Sequence, residues 1–134
     1  MNQLILTPLE GLPLIQQGDG LADLISAALG RQNVELHKGD LVVVAQKIVS
    51  KAEGRRARLA DVNVSERAKE VAATTQKDPR IVQLILDEST VVLRARPNLL
   101  IVEHKLGFIC ANAGIDHSNV EDGDELALLL PVNP

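Results

Sequence analysis

A chain of 134 residues with 46% hydrophobic and 24% charged side chains has the composition of one soluble globular domain, long enough to bury a core. Its apolar content is almost wholly aliphatic: Trp and Tyr are absent, Phe108 is the single Phe, and Asp plus Glu outnumber Lys plus Arg by 18 to 14, a net charge of −4. Without aromatic platforms or a basic groove the chain lacks what nonspecific nucleic-acid binders use, and no apolar run, Leu41 to Ala45 included, approaches the ~20 residues of a membrane span.

Met1-Asn2-Gln3 lacks the basic start of a signal peptide, and the lone Cys110 excludes an internal disulfide, so a reducing, cytoplasmic location is expected. His37, His104 and His117 stand at no zinc-ligand spacing. Any metal would be held by oxygen ligands, which points to Mg²⁺ or Mn²⁺.

No internal repeat, low-complexity tract or long linker divides residues 1–134, so a single domain is expected. Gln3 to Thr7 has strand character and is closed by Pro8, Gly11 and Pro13. Leu21, Leu24, Ile25, Ala28 and Leu29 fall on one helical face, with Gly30 as the stop. Lys38-Gly39-Asp40 then launches Leu41 to Ala45, whose β-branched run suits a strand buried on both faces. Ser50 to Arg58 is charged and loop-like. Ser65 is placed to cap a helix through Ala73, and Asp78-Pro79 to open another, with Ile81, Val82, Ile85 and Leu86 along one face to Glu88. From Val91 the pattern returns to strands: Val91 to Leu93, Leu99 to Val102, Phe108 to Ala111 and Leu126 to Leu130. The fold class predicted is α+β, a mixed or antiparallel sheet of about six strands with about three helices, because the last strands lie too close together for helical crossovers.

Two segments could carry chemistry. Cys110 to Asn119 packs a carboxylate, a hydroxyl and two carboxamides at a strand end, able to bind Mg²⁺ and read a nucleotide; the same residue types also build ordinary tight turns. Gln46-Lys47-Ile48-Val49-Ser50-Lys51 leaves the apolar run, and a lysine beyond the carboxyl end of a strand can neutralise a phosphate or simply be solvated. It is no Walker A loop, since the glycines are missing. Arg55-Arg56-Ala57-Arg58 could hold an acidic ligand or be an exposed basic loop, and Cys110 reads as a core thiol.

Glu10-Gly11-Leu12-Pro13, the stretch from Gly39 to Gly54, the stretch from Gly107 to Val120, Lys77-Asp78-Pro79-Arg80, Ile85 to Ser89 and Glu103-His104 together resemble the coenzyme F420-0:L-glutamate ligase family along the whole chain. The resemblance implies γ-linked addition of L-glutamate to the deazaflavin coenzyme F420-0, with GTP and a divalent metal, Mg²⁺ or Mn²⁺, and K⁺ among the cations it admits. The implied route is phosphoryl transfer to a carboxylate, giving an acyl phosphate that the amine of glutamate attacks. By the same resemblance Leu12, Pro13, Leu14 and Ile15 line the nucleotide site, Gln46, Lys51 and Asn119 contact GTP, and Asp116 is a metal ligand. Ser118 and Asn112 stand behind them, and Gln46 stands where relatives carry Ser.

The resemblance also implies a homodimer formed through sheets, and a family that continues past Pro134 with further metal ligands. The chain is then expected to be a truncated product or one piece of a split enzyme, with little ligase activity alone. A nucleotide or deazaflavin binding module and a dimerising structural domain are the other two readings, and neither nucleic acid nor membrane is an expected partner.

Overall fold

Ile85 and Val82 show how the core is organised: both are fully buried, on the face of one helix that meets a second helix and the middle strand of a small sheet. The structure, a computed structural model, describes residues 3–117 and 126–132. Among these the α-helices are α1 (Leu21–Arg31), α2 (Gln46–Ala52), α3 (Glu66–Thr75) and α4 (Pro79–Asp87), and the strands are β1 (Arg56–Arg58), β2 (Ser89–Arg96), β3 (Leu99–His104), β4 (Ile109–Ala111) and β5 (Leu126–Leu128).

Local chemistry sets the two central helices. Ser65 accepts the N–H of Ala68 and starts α3, and left-handed Gln76 (φ 56°) ends it. Asp78 accepts the N–H of Arg80, and Pro79 supplies a first-turn residue with no amide to satisfy. Ala68, Val71 and Ala72 of α3 and Val82 and Ile85 of α4 close over Leu100 and Val102 of β3 and Ala113. Each fully buried Leu, Ile or Val contributes roughly 1.5–3 kcal/mol relative to exposure.

Strands β2, β3 and β4 form one antiparallel sheet in that order. The β2–β3 hairpin turns at Pro97-Asn98, where Pro presets its own φ and Asn98 takes the left-handed one (62°), and the N–H of Asn98 is held by the Thr75 carbonyl. Register shifts between Ser89 and Val91 and between Val92 and Arg94 put Val92 and Ala95, three residues apart, against the core. A separate antiparallel pair, β1 with β5, packs Ala127 on Leu59 and Leu84.

The α+β class stands, but one sheet of six strands with three helices does not: the described residues form sheets of three and two strands with four α-helices. The predicted strands Gln3–Thr7 and Leu41–Ala45 are both unpaired, the second with Leu41 88% and Val43 90% exposed, because no neighbouring strand among the described residues meets them. Most of Gln46 to Arg58, read as strand exit and loop, is α2 followed by β1. Gln, Lys and Ala favour helix, and Gly54 (φ 69°) turns the chain out of it. The remaining predicted elements are present with ends moved by a few residues: α3 runs to Thr75, β2 is longer at both ends, β3 reaches His104, β4 starts at Ile109 and β5 stops at Leu128.

Candidate functional site

Helix α2 presents different residues to two concave regions. Lys47 and Lys51, four positions apart, share one face and border a small cavity of about 50 Å³ with Arg56, Asp116 and Leu126, Ala127 and Leu128 of β5. Ile48, one position on, borders a much larger apolar cleft of about 740 Å³.

Asp116 reaches the small cavity through a tightly specified turn. Asn112, Ala113 and Gly114 all take left-handed φ (53°, 51° and 67°), and a side chain on Gly114 would put its Cβ 2.5 Å from the Leu130 side chain. Asp116 then exchanges both backbone hydrogen bonds with Leu128, at 2.9 and 2.8 Å. Its carboxylate forms an ion pair with the Lys47 ammonium, Lys47 being about two-fifths and Asp116 one-fifth exposed. Three cations and one carboxylate therefore line one small space, a local excess of positive charge on a chain of net charge −4. Such an arrangement attracts phosphate groups.

The structure brings together only part of the predicted set. Leu12, Pro13 and Ile15 line the apolar cleft, whereas Leu14 is exposed and is not part of its lining. Lys51 and Asp116 meet at the small cavity. Gln46 does not line it; its Oε1 accepts the hydroxyl of buried Ser50. Asn119 and Ser118 lie outside the described residues. No three His, Cys, Asp or Glu side chains gather into a metal site among the described residues, so Asp116 could supply one oxygen to a divalent ion, and these residues do not make a complete centre.

Lys47 and Arg56 join the predicted residues at the cavity. The signal for Lys47 was its i, i+4 spacing to Lys51, which becomes one face once 46–52 is helical. The basic stretch 55–58 does not act as a unit. Arg55 turns inward: its guanidinium pairs with Glu88 and donates to the Leu130 carbonyl at 2.9 Å, while its backbone accepts from Leu129. Glu88 also lies 3.7 Å from His104, a buried ring stacked on Phe108 with its Nδ1 accepting the Leu106 N–H. Cys110 is half-buried rather than part of the core, and what burial it has pushes its thiol up, away from the reactive thiolate.

The family model of F420-0:gamma-glutamyl ligase matches residues 11–134. The chain is 51% identical over 127 residues to the coenzyme F420:L-glutamate ligase of Archaeoglobus fulgidus, an alignment covering 95% of this chain and 48% of that protein. It is 46% identical over 125 residues to the ligase of the same name from Methanothermobacter thermautotrophicus, covering 93% and 49%, and 48% identical over 130 residues to that of Halorubrum lacusprofundi, covering 92% and 49%. The chain thus spans about half the length of these curated relatives, and no helix among its described residues is long and apolar enough to cross a membrane. By the family model and these alignments together, the chain belongs to the F420-0:gamma-glutamyl ligase family.

Proposed function

We propose that the chain is the part of a GTP-dependent F420-0:L-glutamate ligase that holds the nucleotide, with the phosphates at the cavity of Lys47, Lys51, Arg56 and Asp116. The observation that carries this reading is the convergence of three cations beside one carboxylate on the polar face of α2, next to an apolar cleft large enough for a purine. Leu12, Pro13 and Ile15 offer the base an aliphatic wall, and the lysines neutralise phosphate charge as it shifts during transfer to the carboxylate of F420-0. The amine of L-glutamate then displaces phosphate from the acyl phosphate and forms the amide, which is γ-linked when the activated carboxylate is the γ-carboxylate of a glutamate already attached. Asp116 offers one oxygen to Mg²⁺ or Mn²⁺, and the remaining ligands come from outside the described residues.

Calorimetric titration with GTP tests the reading. Lys51→Ala should weaken binding about tenfold with or without metal, the ~1.4 kcal/mol of one lost charge-assisted contact. Asp116→Asn should weaken only the metal-dependent part. Equal affinities for the native chain and both variants would return the cavity to a solvated surface. The chain alone is expected not to turn over F420-0 with GTP, glutamate and Mn²⁺, since it spans about half the length of the relatives that carry the name of this ligase.

A further inference from the structure

We infer that the extended segments 3–7 and 41–45 form a docking edge for a polypeptide corresponding to the part of the relatives that this chain does not match, which pairs as a β-strand alongside 41–45. Aliphatic side chains of these segments lie bare: Leu4 and Leu6 are each 84% and Ile5 71% exposed, and Leu41 and Val43 are about 90% exposed on one side of their segment, with Val42 and Val44 half covered on the other. Their backbones are bare as well, since no hydrogen bond is made by the amides and carbonyls of residues 3–7 or 41–44 among the described residues. A β-branched run with two open edges and one fully open face is the pattern of an interior strand whose neighbours are elsewhere.

Length identifies the occupant. Each of the three relatives carries about as much polypeptide again as the region matched here, and that polypeptide must pack somewhere. The exposed large aliphatic residues of this chain concentrate in its first 44 residues, whereas α3, α4 and β3 already bury theirs against one another. A second copy fits less well. It brings no free strand that this chain does not itself leave bare, and a two-fold pairing of 41–45 with its mate closes one edge and leaves the other open. A strand added in the plane of 41–45 extends the wall of the apolar cleft without filling it, so the inference stands independently of where a nucleotide binds.

The test is to co-produce the full chain with the unmatched part of the Archaeoglobus fulgidus relative and follow amide hydrogen exchange and dye binding to exposed apolar surface. A one-to-one complex is expected, with exchange at 41–45 slowed at least 100-fold and dye fluorescence reduced. Val43→Lys, at a position that is solvent-exposed in the free chain, should leave the circular dichroism of the free chain unchanged and abolish the complex. Failure to form a complex at tens of micromolar, or a complex indifferent to Val43→Lys, overturns the inference. So does a homodimer of the chain alone that protects 41–45 to the same extent. None of these readouts involves GTP, so they separate this inference from the nucleotide site.

Discussion

Arg55→Ala is predicted to destabilise the chain by about 2–3 kcal/mol, although nothing in the reaction requires Arg55 to touch a ligand. The side chain forms an ion pair with Glu88, donates its Nε–H to the Leu130 carbonyl, and sits where its backbone joins Ser50 and Leu129. Breaking a deeply buried pair by removing one partner costs about 3–5 kcal/mol, because the other charge stays desolvated. Here Arg55 is 23% and Glu88 15% exposed, which lets water reach the orphaned carboxylate and brings the figure down. Urea unfolding followed by far-ultraviolet circular dichroism should move the midpoint down by roughly 0.7–3 M at an ordinary slope of 1–3 kcal/mol/M. Glu88→Gln should cost somewhat less, since the amide still accepts one hydrogen bond from the guanidinium. The double variant Arg55→Met with Glu88→Met should be less destabilised than the sum of Arg55→Met and Glu88→Met alone by at least ~1.5 kcal/mol. A loss below 0.5 kcal/mol for Arg55→Ala, or strict additivity in the double variant, would refute the claim that this pair anchors the chain after α2 to the end of α4.

Asp78→Ala should cost about 1 kcal/mol through loss of the α4 cap, measured by the same unfolding curve. The Arg80 side chain, hydrogen-bonded to Asp78, holds its carboxyl below the usual carboxylate range. The stabilisation from the charged form is therefore complete above the ordinary carboxylate pKa and lost as pH falls through the lowered native one, so the native chain and Asp78→Ala should converge in stability in acid. Gly114→Ala should destabilise by more than 1 kcal/mol, because it forces a side chain into φ 67° against Leu130, and it should weaken GTP binding by displacing Asp116; unchanged stability would show that the turn is not conformationally demanding.

What could be read from the sequence was what local chemistry decides. The cap at Ser65, the Asp78-Pro79 start and the Ile81, Val82, Ile85, Leu86 stripe specify α3 and α4 without reference to any other part of the chain, and they form as expected. The Pro97-Asn98 turn fixes a hairpin in the same way. Leu41 to Ala45 shows the opposite case. Its composition gives the segment strand character, but whether it becomes a buried strand depends on partners that local pattern cannot supply, and none is present among the described residues. The pairing of β1 with β5 was hidden for a related reason. Arg56-Ala57-Arg58 alternates over only three residues, and its partner lies some seventy positions away.

The candidate site divides along the same line. The resemblance picked out Lys51 and Asp116, but a residue type at a matching position does not reveal that Lys47 already neutralises Asp116, or that Gln46 faces Ser50. Both facts follow from the helical state of 46–52, which turns a linear run of polar residues into two faces about 100° apart per step. Ala45, the last residue of the bare segment, is also the N-cap of α2, and it has no side chain with which to cap. A seven-residue helix with no cap bond is marginal alone, so its geometry rests on what packs against it. On one side that is Gly18, whose N–H holds the Ala52 carbonyl at 2.8 Å, and on the other the Arg55 anchor to β5. Loss of Arg55 should for that reason weaken GTP binding as well as stability.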